Sequence, residues 1–215
     1  MAEAIKLEMA EGTFDTAAEE RKNVIRLKKP YSFEGVKYQE IDLSGLDQLT
    51  VKDAVDAQRQ LFGEGEIATA TICETTTAFA RTIAAKASGK PIEFFKMMPR
   101  SATALVSRTV RAHMNTENRT ENHVLYLEQP YSFKGKEYTE IDLAGLADLT
   151  CMNESEAENR MAREGFMVVE TSFNYLYACC IASMATGLPE EFFTGLPIRE
   201  LLKLKNEVNN PDFFE

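Results

Sequence analysis

The chain has 215 residues, 44% of them apolar and 27% charged, with 11 Gly and 7 Pro. These are the proportions of an ordinary globular protein and exclude collagen-like, low-complexity and wholly disordered chains. A formal charge of −10 argues against a dedicated nucleic-acid binder, which needs clustered Lys and Arg to neutralise phosphates.

Residues 1–23 are acidic and contain no apolar stretch of the kind a secretory signal requires, so none is expected. They match nothing later in the chain and read as an N-terminal extension.

From residue 24 onward the chain repeats itself. Val24 to Thr50 reads VIRLKKPYSFEGVKYQEIDLSGLDQLT, and Val124 to Thr150 reads VLYLEQPYSFKGKEYTEIDLAGLADLT; 16 of 27 positions are identical at an offset of 100. Ile83 to Pro99 and Ile181 to Pro197 then match at 9 of 17 positions with an offset of 98, so the second copy lacks two residues in its middle. The period is far longer than that of a solenoid repeat. It divides the chain into unit 1 (24–111), a polar Asn-rich linker (112–123) and unit 2 (124–215). Each unit is small enough to bury only a modest core, so the copies are expected to pack on each other or on partners.

Within a unit, Val24–Leu27 is a short strand candidate and Tyr38–Leu43 a second. Ile41 and Leu43 share one face of the latter, with Tyr38, Glu40 and Asp42 on the other, the period of a half-buried strand. Gly35 and Gly135 stand where a tight turn needs positive φ. Pro30 and Pro130 break the first arm, which points to an edge strand or a bulge. The element is a β-hairpin.

Thr50 with Asp53 fits a capping box, so a helix is predicted from Val51 to about Gly63; Thr150 with Asn153 is a weaker version. A longer helix follows, with Ile72, Phe79, Ile83 and Ala87 on one stripe, and stops at Gly89, as its copy stops at Gly187. Pro91 and Pro189 suit the first position of a short helical turn carrying Phe94-Phe95 or Phe192-Phe193. Pro99 and Pro197 open a last amphipathic helix, which in unit 2 stops at Asn209-Asn210-Pro211. The fold class is therefore α+β, two tandem copies of a β-hairpin followed by three to four helices.

Thr171 to Pro189 carries no charge and approaches the length of a membrane span. Its Ser, Thr, Asn and Gly content favours a buried core helix.

The chemistry-bearing candidates are few. Charged positions common to both copies are Glu40/Glu140, Asp42/Asp142, Glu64/Glu164 and Glu93/Glu191. Glu40 and Asp42 on one strand face could serve acid–base work or a cation, or simply form a solvated face. His113 and His123, the only histidines, fall in the linker as exposed spacer residues. Cys179-Cys180 replaces Arg81-Thr82 of unit 1 and reads as a pair of buried small hydrophobes. The four cysteines, Cys73, Cys151, Cys179 and Cys180, lack the spacing of a disulfide framework or a zinc site and fit a reducing cytoplasm. No phosphate loop, GxSxG or HExxH motif is present, and no cofactor or metal is implied. The Phe pairs plug the core or anchor a partner; with Phe213 and Phe214 in the C-terminal stretch, Phe94, Phe95, Phe192 and Phe193 form the set of candidate partner-binding residues. Charge is divided unequally. Val24 to Arg111 holds 13 basic and 10 acidic residues, and Val124 to Glu215 holds 7 basic and 16 acidic. Such asymmetry lets one copy attract another, within a chain or between chains.

Each unit resembles the phage tail assembly chaperone family, the Mu-like tail assembly proteins. The resemblance is carried by the hairpin arm Glu34-Gly35-Val36-Lys37-Tyr38-Gln39-Glu40-Ile41-Asp42-Leu43, the Leu46-x-x-Leu49-Thr50 cap, and Gly187-Leu188-Pro189-Glu190-Glu191-Phe192-Phe193 followed by Leu196-Pro197. It covers most of both units, although the family is more often a single unit. It implies no catalysis. It implies a factor of the host bacterial cytoplasm that binds the tape-measure protein and keeps it soluble until the tail tube protein polymerises around it. Self-association is expected from the repeat and its charge asymmetry, and no nucleic-acid or membrane partner is expected from composition and charge. A structural tail or baseplate-associated component retained in the particle is the alternative, and a cation-dependent enzyme built on Glu40 and Asp42 a third reading.

Overall fold

A computed structural model describes residues 22–115, 120–121, 123–166 and 170–210. Unit 1 opens with the hairpin β1 (Val24–Phe33) and β2 (Val36–Asp42), followed by helices α1 (Val51–Gly63), α2 (Thr77–Ser88), α3 (Ile92–Lys96) and α4 (Arg100–Met114). After the two-residue strand β3 (Thr120–Glu121), unit 2 repeats the series: β4 (Val124–Phe133), β5 (Lys136–Asp142), α5 (Cys151–Arg163), α6 (Tyr175–Thr186), α7 (Glu190–Thr194) and α8 (Leu201–Val208). A short 3-10 turn, Ser44–Gln48 or Ala144–Asp148, joins each hairpin to its first helix. The expected α+β architecture, a hairpin followed by four helices in tandem, is the observed one.

Each hairpin turns through two residues with positive φ, Glu34 and Gly35 (50° and 79°) or Lys134 and Gly135 (49° and 79°). That is the turn whose twist matches paired strands, and glycine makes it accessible at its second position. The strands pair in register from Phe33↔Val36 to Tyr31↔Tyr38, lose register, and resume at Arg26↔Glu40. Four residues, Leu27 to Pro30, therefore bulge opposite Gln39, as Pro30 requires of a paired strand. The bulge also corrects the face assignment. Tyr38 does not stay with Glu40 and Asp42 on the solvated side; it turns toward the core and sets its ring 4.9 Å from Phe94.

The capping box forms as expected: the Thr50 N–H donates to Asp53 Oδ2 at 3.0 Å, and the Thr150 N–H to Asn153 Oδ1 at 2.9 Å. Pro91 and Pro189 sit one residue earlier than predicted, at the N-cap. The second helix starts later than its stripe suggests. Thr76 caps it by accepting from the Phe79 N–H at 3.1 Å, and Ile72 lies outside it, 44% exposed, among short 3-10 turns. The threonine hydroxyls in this stretch bond nearby carbonyls instead of leaving the backbone to form a helix; Thr69 donates to the Glu66 carbonyl at 2.6 Å.

The linker is shorter than its composition suggests. Ala112, His113 and Met114 continue α4, and His113 and Met114 are buried. Met114 joins the apolar core as the last residue of the helix. His123 is half-buried, with Nδ1 3.3 Å from Glu207 Oε1 on α8. Neither histidine is the exposed spacer residue predicted.

One apolar core runs through both units. Helix α6 lies at its centre, with Tyr175 to Ala182 all buried. This explains the uncharged stretch: a helix covered on every side is apolar all round. At 12 residues it is too short to span a bilayer, and among the described residues no helix is long and apolar enough to cross a membrane.

Candidate functional site

The residues shared by the two copies build one device twice. Tyr31, Phe33 and Tyr38 of the hairpin surround the Phe94 ring at 5.0, 5.3 and 4.9 Å, each edge-on. Tyr131, Phe133 and Tyr138 surround Phe192 at 5.3, 5.3 and 4.7 Å. The Tyr31 hydroxyl donates to the Phe94 carbonyl at 2.9 Å. The repeated Pro-Tyr-Ser-Phe and Phe-Phe motifs thus pin each hairpin to its helices through edge-to-face contacts. Phe94, Phe95, Phe192 and Phe193 are buried core residues and present no side chain to a partner. Phe213 and Phe214 lie outside the described residues.

The repeated carboxylates have structural partners. Asp42 Oδ1 accepts from the Ser44 N–H at 2.8 Å, and Asp142 Oδ1 from the Ala144 N–H at 2.9 Å, so each closes the turn after its hairpin. Glu40 and Glu140 are exposed. Among the described residues no group of three His, Cys, Asp or Glu is placed to hold a metal ion. Cys179 and Cys180 are buried as expected, Cys73 is buried as well, and Cys151 is exposed. Burial pushes the Cys73 and Cys180 thiols up to about 12, with Glu74 and Glu190 respectively adding to the effect. Burial likewise raises Cys179.

Periodicity gives no sign of how the units join. The α1 face formed by Val51, Val55 and Gln58 is buried against unit 2. The Val51 N–H donates to the Leu196 carbonyl at 2.8 Å, and the Ile198 N–H to the Leu49 carbonyl at 2.9 Å. Gln58 Nε2 donates to the Phe173 carbonyl at 2.9 Å while its Oε1 accepts from the Tyr175 N–H at 3.1 Å. Among the described residues, three ion pairs cross the boundary: Asp47–Arg199 at 2.5 Å, Arg59–Glu164 at 2.6 Å and Glu74–Lys205 at 2.5 Å. Two of the three place the acid on unit 1, so the overall charge imbalance is not what joins the copies internally.

Two surface grooves belong to unit 1. The first, about 550 Å³, runs between the β1 bulge and the start of α4 and is lined by Leu27, Pro30, Tyr31, Pro99, Ala102 and Leu105, with the exposed Lys28 and Lys29 beside them. In unit 2 the counterparts of Ala102 and Leu105 are Glu200 and Lys203, a buried ion pair at 2.6 Å. Glu200 also accepts from the Glu128 N–H at 3.1 Å, which ties this place to the second bulge. The second groove, about 770 Å³, lies along α4 and contains Thr77, Met98, Arg100, Arg108 and Arg111.

No known protein family, characterised protein or solved structure matches the chain.

Proposed function

We propose that the chain is a tail assembly chaperone of a phage or phage-tail-like particle, which binds the tape-measure protein in the host cytoplasm and promotes tail tube assembly. The observation that carries this reading is that both copies reproduce a scaffold. Tyr31, Phe33, Tyr38 and Phe94 recur as Tyr131, Phe133, Tyr138 and Phe192. The repeated Asp42 and Asp142 cap turns. A duplicated interaction module needs such a scaffold and no active site. The motifs that carry the family resemblance are the ones that build it.

A tape-measure protein exposes long amphipathic helices that aggregate unprotected. The 550 Å³ groove offers it apolar walls at Leu27, Ala102 and Leu105 and the cations Lys28 and Lys29, matching a helix with an apolar stripe and acidic flanks. The net charge of −10 keeps such a complex dispersed.

Co-expression with the tape-measure protein of the same tail operon tests the reading. The tape measure is expected in the soluble fraction only with this chain, and Leu105→Asp is expected to abolish the rescue while leaving the chain folded. An insoluble tape measure with this chain eluting alone overturns it. Abundant peptides of the chain in finished particles favour the alternative of a retained tail component.

A further inference from the structure

The internal docking of the two units runs in one direction. Unit 1 contributes the α1 face, and unit 2 contributes the surface that receives it, at Tyr175, Leu196 and Ile198. Two copies of one fold joined in this way form a heterologous contact, which leaves the complementary surface unused at each end.

Both unused surfaces are present. The counterpart of the receiving surface in unit 1 is Thr77, Met98 and Arg100, and these three line the 770 Å³ groove. The counterpart of the α1 face in unit 2 is Cys151, Ser155 and Glu158 on α5, all exposed, with Glu154 beside them. The substitutions that separate these ends from the internal interface are opposite in sign. The groove gains arginines: Ile198 of unit 2 becomes Arg100, and Asn206 and Asn209 become Arg108 and Arg111, with no carboxylate in its lining. The helix gains acids: Ala54 and Gln58 of α1 become Glu154 and Glu158.

We infer that chains associate head to tail, α5 of one copy seated in the arginine-lined groove of the next, repeating between chains the docking that α1 makes within one. The contact is polar and partly exposed, so it is weak and screened by salt. Because it is heterologous it does not stop at two chains unless the rotation closes a ring. The inference stands apart from the proposed tail function, since it concerns the purified chain alone.

Light scattering and sedimentation of the full chain across concentration test it. At low ionic strength the average mass is expected to climb past twice the 24.2 kDa of one chain, and high salt returns it to one. Arg100→Glu with Arg108→Glu, or Glu154→Lys with Glu158→Lys, is expected to hold the chain at the single mass with unchanged circular dichroism. Mixing the two variants restores assembly as alternating chains, because the intact α5 of the first meets the intact groove of the second and the lysine-bearing α5 of the second meets the glutamate-bearing groove of the first. All four changes in one chain restore assembly. A wild type that stays at one mass at low salt overturns the inference, as does association that either pair of changes leaves intact. Assembly that appears only after removal of residues 1–21 assigns the groove to that segment and also overturns it.

Discussion

The Tyr175 hydroxyl donates to Glu74 Oε2 at 2.8 Å, joining the first residue of α6 to a 3-10 turn of the other repeat. The second oxygen of Glu74 accepts from Lys205 Nζ, whose side chain is 9% exposed. A cation so enclosed depends on its partner.

Glu74→Ala is therefore expected to lower stability by about 3 kcal/mol, because it leaves Lys205 buried without its carboxylate. Tyr175→Phe removes one neutral donor and leaves the ion pair, so about 1 kcal/mol is expected. Urea unfolding of both variants checks the order. Equal losses would mean that the carboxylate contributes no more than the hydroxyl.

Gly45 and Gly145 meet the second helix of their units at the backbone. A Cβ at Gly45 would overlap the Ala87 carbonyl oxygen, and one at Gly145 the Ala185 carbonyl oxygen. Neither obstacle is a side chain that can swing away. Gly45→Ala and Gly145→Ala are each expected to cost about 1–3 kcal/mol, read as a drop in the urea midpoint.

Thiol chemistry separates Cys151 from the rest. Only the thiolate reacts, and burial holds Cys73 and Cys180 at about 12. One thiol of the four is expected to react with an alkylating reagent in the native protein, and all four after denaturation. Peptide mapping identifies the first site. Because Cys151 lies on the proposed docking face, its labelling is also expected to slow as the chain is concentrated at low salt.

His113 links stability to pH. Burial lowers its pKa below the ordinary 6.5, and the Arg199 cation deepens the effect against the opposing pull of Asp47 and of a hydrogen bond that the imidazole donates to the Leu46 backbone carbonyl. The folded value is depressed, so the contribution is fully present above about pH 6.5 and is lost as pH falls through the folded value. The urea midpoint is expected to fall between about pH 7.5 and about pH 5.5, and to fall less in His113→Leu. Equal declines in the two proteins would remove His113 as the cause.

What the sequence discloses about this fold is what short stretches decide by themselves. The turns at Gly35 and Gly135, the boxes at Thr50 and Thr150, and the stops at Gly89 and Gly187 need only neighbouring residues, and each was legible. Tyr38 was misplaced because a bulge on the opposite strand alters which residues face the core. His113 was misplaced because the charged groups that act on it, Asp47 and Arg199 among them, are distant in the chain. The unequal fates of Val51 and Cys151, equivalent in the repeat, depend on which neighbour each unit has, and a repeat pattern cannot express that. Of the six candidate phenylalanines, four proved to be hairpin and core anchors.

The seam between the units also imposes an order on synthesis. Asp47 and Arg199 are 152 positions apart. At the usual rate of chain elongation, the α1 face emerges roughly 8–30 s before the segment that covers it. During that interval Val51 and Val55 face the solvent of a crowded cell. The nascent chain is thus itself a client for protection until its second half is made, and a ribosome stalled near residue 150 would hold it in that state.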